Sequence, residues 1–174
     1  MEEGSIMNTL SNEMIRNWLR GFFDMAANTL KVSMRFKQIA TQEVLYHHFV
    51  GYHTSPQWVV LCNDTSTQKS IVITMDYACI QACTHAFFSA YDIALNPPKS
   101  GLSFSEEFMA TRLSEIAIDV FSKINVSINF IRNEPDLALV HPFNDDESVS
   151  HHHIEWLIGN QSIGSLHVCH SHVL

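Results

Sequence analysis

The first strong pattern of apolar residues runs from residue 11 to residue 30. Apolar side chains recur there at spacings of three and four, the period that lines one face of an α-helix. Ser11 stands just before the pattern and suits the N-cap, because its hydroxyl oxygen can accept from a free N–H group of the first turn. Residues 32–37 then alternate apolar and polar, which is the period of a half-buried strand. The pattern predicts an amphipathic helix that leads almost directly into a strand.

No clear period appears over residues 39–56, which we predict to be irregular. This stretch contains the cluster Tyr46, His47 and His48. A hairpin follows, because two apolar runs rich in β-branched residues flank the turn-forming residues 63–67.

A second helix is predicted after the hairpin. Asp76 follows the second strand, where its carboxylate can cap a helix. Residues 96–101, Asn-Pro-Pro-Lys-Ser-Gly, form the clearest loop of the chain. The apolar residues assigned to this helix are Ile80, Cys83, Phe87 and Phe88.

The same order of elements begins again after this loop. A constant shift of 94 residues, the difference between positions 11 and 105, overlays the two halves. We therefore predict one domain, residues 1–174, of the α+β class, with pseudo-twofold symmetry between repeats at about 10–95 and 102–172. The identical residues that the shift superposes are Ser11 and Ser105, Glu13 and Glu107, Leu19 and Leu113, Val32 and Val126, Ser33 and Ser127, and Phe36 and Phe130.

Charge and composition argue against nucleic-acid binding, membrane insertion and disulfide bonds. The 174 residues include 10 Lys and Arg against 18 Asp and Glu, a net charge of −8, which repels phosphate backbones and anionic lipid headgroups. No apolar run approaches the ~18 residues of a membrane span, and the N-terminus is acidic where a signal peptide would be basic. We expect no nucleic acid, no membrane insertion and a cytosolic location. The four cysteines form no CxxC pair and are expected to be buried, reduced thiols.

The histidines are the main candidates for metal chemistry. On a strand, His170 and His172 point to one face while His167 and Cys169 point to the other, so they do not converge locally. We interpret this segment as a polar strand face and residues 151–153 as a solvated loop, with a metal-binding sensor as an alternative. The chain has no GxSxG, HExxH or Gly-rich phosphate loop, so no cofactor is expected.

Several short segments, taken in order, resemble one known family. They are Leu-Lys-Val-Ser-Met-Arg-Phe at 30–36, Ser-Pro-Gln-Trp-Val-Val-Leu at 55–61, Ile-Thr-Met-Asp-Tyr-Ala at 73–78, Leu-Ser-Phe-Ser-Glu-Glu at 102–107, Arg-Asn-Glu-Pro at 132–135 and Gly-Ser-Leu-His-Val-Cys at 164–169. Together they resemble the FliM/CheC/CheX fold family, above all the FliM middle domain of flagellar motor switches, and the related SctQ-like ring proteins of type III secretion. The resemblance covers about residues 10–172 and implies a CheC-like three-layer α/β domain.

This resemblance implies a scaffold more than an enzyme. CheC-type phosphatases carry Glu and Asn in an E-x-x-N pattern, the Asn orienting the attacking water. At the matching places this chain has Glu115 followed by Ile118, and Asp24 followed by Ala27, so the amide is missing from both. We therefore expect no phosphatase activity. The alternative is a CheC/CheX-type phosphatase of a phosphorylated response regulator that pairs Glu107 or Glu115 with a nearby polar residue.

The resemblance also implies a partner-binding loop. FliM proteins carry a Gly-Gly-x-Gly loop after the second helix, implicated in contact with the next rotor ring, and this chain has no glycine there. Side chains must then supply the contact, with Phe88 and Tyr91 as anchors. The alternative for Phe88 is a place in the core. The predicted partner-binding residues are Phe88, Ser89, Ala90, Tyr91 and Asp92.

The implied partners are the neighbouring ring proteins, FliG-like and FliN-like, together with further copies of the chain in a ring. Residues 10–15 resemble the L-S-x-E-E-I opening by which FliM proteins bind a CheY-like response regulator, although a capped helix start is the preferred interpretation. The implied location is cytoplasmic, at the inner-membrane face of a motor or secretion apparatus. FliM proteins continue into a small all-β ring domain, so the resemblance leaves open whether the chain is an excised piece of a longer protein.

Overall fold

A computed structural model describes residues 11–89 and 101–171 of the chain. Within them, four α-helices and one 3₁₀ helix surround a six-stranded antiparallel sheet, so the predicted α+β class is confirmed. None of these helices is long and apolar enough to cross a membrane. The helices are α1 (Asn12–Leu30), α2 (Tyr46–Tyr52), α3 (Tyr77–Ser89), α4 (Phe104–Lys123) and the 3₁₀ helix Leu137–Leu139. The strands are β1 (Met34–Leu45), β2 (Gln57–Asp64), β3 (Ser70–Asp76), β4 (Ile128–Glu134), β5 (Ser148–Ile158) and β6 (Gln161–Ser171).

The sheet lies between two separate cores, which confirms the predicted three layers. Successive residues of a strand point to opposite faces, so Val60 and Ile73 join one core while Val59 and Val72 join the other. The larger core, on what we call the helix face, packs α1, α3 and α4 against the sheet. The smaller core, on what we call the second face, holds α2 and the 3₁₀ helix.

The strand order is β1-β5-β6-β3-β2-β4. The order is symmetric between the two halves. If β1 is exchanged with β4, β2 with β5 and β3 with β6, the result is the same order read from the opposite edge of the sheet. The helix ends repeat as well. Lys31 and Asn125 both have left-handed backbones, with φ of 55° and 61°. The next residue in each case donates its N–H five residues back, Val32 to Ala27 at 3.2 Å and Val126 to Phe121 at 2.9 Å.

These matched positions follow the predicted shift of 94 residues, but the helix starts do not. Ser11 caps α1 as predicted, its hydroxyl oxygen accepting the Met14 N–H at 3.2 Å. The cap of α4 is Ser103, not the Ser105 that the shift would place there, because Ser103 and Glu106 form a reciprocal capping box. The exact division at 10–95 and 102–172 stays a prediction.

α1 and α4 pack closely on the helix face. The Trp18 indole N–H donates to the Ala117 carbonyl at 2.9 Å. A Cβ at Gly21 would lie 2.7 Å from Val120 Cγ1, so the absence of a side chain at Gly21 is what permits this approach. The two helices therefore form one unit over the sheet.

The prediction of irregular structure is confirmed for residues 53–56 and wrong for residues 39–52. β1 continues to Leu45 along β5, and α2 follows with Tyr46 and Phe49 fully buried. The strand period is hidden because β1 is an edge strand whose residues 41–43 are all exposed. A helix of about two turns with two buried aromatics is too short to give a clear helical period.

The four cysteines are free and buried, as predicted. Burial raises the pKa of the Cys62 thiol to about 12 and holds the pKa of Cys79 well above its usual value. A thiol in this state is a poor nucleophile, so these residues act as small core side chains.

Candidate partner-binding surface

The predicted partner-binding residues begin at the end of α3. Phe88 is 64% exposed, so the alternative that places it in the core is wrong. Its ring packs edge to face on Phe87, which is 45% exposed, with the centroids 5.1 Å apart. Ser89 is the last residue of α3, and Ala90, Tyr91 and Asp92 lie outside the described residues. Partner binding by residues 88–92 therefore stays a prediction.

A second aromatic pair lies at the start of α4. Phe104 is 87% exposed and Phe108 63% exposed, and the two stand one helical turn apart. They fall outside the apolar stripe that α4 buries, since Met109, Leu113 and Val120 point to the core. The capping box at Ser103 fixes where the helix begins and so fixes the side of the helix on which both residues lie.

The same side of α4 continues into a groove beside β4. The groove has a volume of about 280 Å³ and is lined by Thr111, Ser114, Glu115, Ile118, Asp119, Phe130 and Asn133. Phe104, Phe108, Thr111, Glu115 and Ile118 recur at spacings of three and four, so they share one side of the helix. We call these five residues the α4 face.

Polar contacts hold the groove in shape. The Ser114 hydroxyl accepts the Trp58 indole N–H at 3.0 Å and donates to the Ala110 carbonyl at 2.7 Å. Glu115 pairs with Arg112 at 2.9 Å, and both side chains are about half exposed. Large exposed apolar side chains beside a shaped groove are typical of a protein-binding surface.

The positions that resemble the phosphatase pattern lie on this surface and on α1. Ile118 is half-buried and cannot hydrogen-bond, and the α1 pair Asp24 and Ala27 likewise offers no amide. Asn133 of β4, however, lines the same groove as Glu115, and its Oδ1 is buried without a partner among the described residues. The E-x-x-N pattern lies within one helix, so it could not reveal an amide that belongs to β4.

The aromatic pair of α4 was not predicted. The signal was available, since Phe104 and Phe108 are out of phase with the buried positions Met109, Leu113 and Val120. An apolar residue at an exposed phase of a helix indicates a contact outside the domain.

The histidines are arranged differently from the prediction. Residues 151–153 lie in β5, not in a solvated loop, and His151 and His152 are buried. As predicted, His167 and His170 of β6 point to opposite faces of the sheet. His167 contacts His151, and His170 contacts His152. His172 lies outside the described residues. Within residues 11–89 and 101–171, no three His, Cys, Asp or Glu side chains have the geometry to hold a metal ion.

Asp76 connects strands on the second face. Its Oδ2 accepts the Ser165 N–H at 2.8 Å, and its Oδ1 accepts the side-chain amide of Gln57. The predicted capping residue thus ties β3 to β6 and β2.

Comparisons with known proteins identify the fold. No family model and no curated protein matches the sequence. Solved structures do match. A chain of the FliG–FliM complex from H. pylori is 13% identical with a TM-score of 0.73, over 93% of this chain and 94% of that one. The FliM middle domain from Vibrio alginolyticus is 12% identical with a TM-score of 0.73, over 89% of each chain. The chemotaxis protein CheX from Vibrio vulnificus is 10% identical with a TM-score of 0.53, over 94% of this chain and 98% of that one. The chain therefore has the fold of the FliM/CheC/CheX family, as its sequence motifs predict.

Proposed function

We propose that this domain is a non-enzymatic scaffold of a flagellar motor switch, or of the related cytoplasmic ring of a type III secretion system. It acts through protein–protein contacts. The observation that carries the proposal is the α4 face, where Phe104 and Phe108 are exposed beside a preformed groove. The shared fold with FliM middle domains supports it.

The first partner is a FliG-like ring protein. Support comes from the H. pylori structure with this fold, which is a FliG–FliM complex. FliN-like neighbours, further copies in a ring and a CheY-like response regulator are additional proposed partners. The proposed location is the cytoplasm, at the inner-membrane face of the apparatus.

The energetic argument rests on the aromatic rings. Burying a Phe side chain that is otherwise exposed gains about 1.5–3 kcal/mol. Aromatic anchors near the centre of an interface carry a large share of its binding energy. Two such anchors stand one turn apart on a capped helix, so their backbone is ordered before binding and only side-chain freedom is lost.

The test is a titration of the domain against the FliG-like protein encoded with it. We expect Phe104→Ala and Phe108→Ala each to weaken binding about tenfold or more. Leu139→Ala is the matched control, because Leu139 is 56% exposed but lies on the second face. If both Phe variants bind as the parent does, the α4 face is not the contact.

The loop after α3 is tested separately. Tyr91→Ala and Asp92→Ala in the same titration report on the contact at residues 88–92. Loss of affinity in these variants, with Phe104→Ala unaffected, would move the interface from α4 to the end of α3.

The second candidate function is a CheC/CheX-type phosphatase, which the position of Asn133 in the same groove as Glu115 favours. An amide and a carboxylate in one groove could orient an attacking water. We still expect no hydrolysis of a phosphorylated response regulator above the spontaneous rate, because Glu115 is paired to Arg112 on an open surface. Hydrolysis that Glu115→Ala or Asn133→Ala abolishes would favour the phosphatase instead.

A further inference from the structure

Four imidazoles pack against one another on the second face of the sheet. We call His53, His151, His153 and His167 the histidine cluster. The ring of His167 lies at its centre, with centroids 4.5 Å from His53, 4.6 Å from His153 and 5.0 Å from His151. His151 Nε2 and His167 Nδ1 are 2.8 Å apart, so one donates and the other accepts. This contact exists only while at least one of the two rings is neutral.

The cluster joins α2 to the sheet. His53, directly after α2, places Nδ1 2.8 Å from the Phe49 carbonyl and Nε2 3.2 Å from Thr74 Oγ1 of β3. Tyr52 covers the cluster, with its ring centroid 5.3 Å from that of His151 and its hydroxyl 3.2 Å from His153 Nδ1. The buried ring of Phe49 packs on His151 as well. The aromatic rings in the last turn of α2 therefore pack against imidazoles of the cluster.

Burial opposes charge on all four rings. Desolvation, followed by repulsion from His53 and His153, lowers the pKa of His151 to about 4. Desolvation is also the largest cause that lowers the pKa of His53, His153 and His167. In water an imidazole has a pKa of about 6.5, so any state that exposes these rings binds more protons in mild acid.

Few groups around the cluster can offset a positive charge. Asp76 at the end of β3 attracts protons to His53 and His153, and Glu155 of β5 to His153. The Asp76 carboxylate already accepts from Ser165 and Gln57. β6 contributes the buried thiol of Cys169, whose pKa burial raises, and α2 contributes the Tyr52 phenol.

We propose that the histidine cluster is a pH-sensitive switch that holds α2 on the sheet at neutral pH and releases it in mild acid while the helix face stays folded. Release removes Phe49, Tyr52 and His53 from the cluster and admits water to the remaining rings. The equilibrium moves toward release as the pH falls below about 6.5, since the released state takes up protons. Between pH 7.5 and 5.5, each imidazole that becomes charged on release favours that state about tenfold.

The helix face provides an internal reference. All three tryptophans of the chain, Trp18, Trp58 and Trp156, belong to the helix-face core or pack against it. Their fluorescence reports global unfolding and is insensitive to release of α2 alone. Amide hydrogen exchange, followed by mass spectrometry and corrected for the intrinsic effect of pH, reports α2 separately from α1 and α4.

The experiment compares exchange at pH 7.5 and 5.5 in the presence of a chelator, so that protons are the only ligand that varies. We expect protection of α2 to fall at least tenfold while α1, α4 and the tryptophan emission are unchanged. In the double variant His151→Gln with His167→Gln, an amide pair replaces two of the four titratable rings, and the fall in α2 protection should be smaller than in the parent, by up to tenfold for each ring replaced.

The matched control is His48→Gln with His141→Gln, which removes two exposed histidines and should keep the response of the parent. Should the cluster double variant not fold, His153→Gln alone, at a half-buried position, is expected to reduce the response up to tenfold. The proposal is overturned if α2 protection in the parent does not depend on pH, if the cluster variants respond as the parent does, or if α2 and the tryptophan signal change together.

Discussion

The two faces of the sheet are stabilised by different chemistry. On the helix face, Trp18, Phe22, Phe23 and Trp156 form a continuous aromatic network, with neighbouring centroids between 5.1 and 5.6 Å apart. The second face has a smaller core. There the Phe49 ring packs on the imidazole of His151, and the Tyr46 hydroxyl donates to the Val140 carbonyl. Apolar burial is insensitive to pH, whereas buried imidazoles are not. The helix face therefore supplies most of the apolar burial, and the proposed release of α2 by protons belongs to the second face.

The largest expected effect comes from the aromatic network. Trp156→Ala should lower the free energy of unfolding by about 3–5 kcal/mol, because it leaves a cavity between α1 and the sheet. Urea denaturation followed by circular dichroism measures the loss. Trp156→Phe is the control, and its smaller effect is expected because the indole N–H has no partner among the described residues. An equal loss in both variants would mean that the ring volume is not what stabilises this face.

A buried histidine on the helix side of β5 tests whether pH dependence is confined to the second face. His152 Nε2 lies 3.0 Å from His170 Nε2, and burial, with repulsion from His170 and His151, lowers the pKa of His152 to about 3. The unfolded chain binds more protons below pH 6.5, so stability falls as the pH falls. Between pH 7.5 and 5.5, the free energy of unfolding of His152→Gln should therefore fall by about 1 kcal/mol less than that of the parent, as measured by urea titrations. The same loss in both proteins would assign the acid sensitivity wholly to other groups.

Glycine substitutions compare the packing of the two layers. Gly21→Ala should lower the free energy of unfolding by about 1 kcal/mol, because the clash with Val120 outweighs the better helix propensity of alanine. Gly51→Ala in α2 should raise it by about 0.5–1 kcal/mol, since a Cβ there meets nothing within 4 Å. Thermal unfolding of the two variants beside the parent measures both. Stabilisation by Gly21→Ala would show that α1 and α4 can move apart without loss.

The smallest effect is expected at the surface of α4. Glu115→Gln removes an exposed ion pair with Arg112 and should lower the free energy of unfolding by no more than about 0.5 kcal/mol. Urea titrations at low and high salt measure it, and the difference should vanish at high salt. A larger loss would indicate that the groove beside Glu115 contributes to stability and not only to binding.

Local patterns in the sequence predicted much of the fold. Ser11, the period of α1 and the hairpin of β2 and β3 are set by residues close together in the chain, and the structure confirms them. The shift between Val32 and Val126 also survived, because both follow a helix that ends in the same way.

The sequence could not predict the histidine cluster. His53 and His167 are far apart in the chain, and their contact depends on α2 folding back over β3 and β6. Polar residues in β5 suggested a solvated loop, since burial of a histidine depends on partners that only the assembled sheet provides. The exposed aromatic residues were predicted in part. The exposure of Phe88 is confirmed, but the prediction overlooked Phe104 and Phe108.

The residues that follow α1 and α4 have left-handed backbones, so the folded domain is less stable than it would be with glycine at those positions. Lys31 adopts a conformation that costs a residue with a Cβ about 1 kcal/mol, and Asn125 tolerates the same conformation better. Glycine at position 31 would remove that cost. The strain lies where the helix layer joins the edge strand β1, so a more favourable residue there would stabilise the connection between α1 and the sheet.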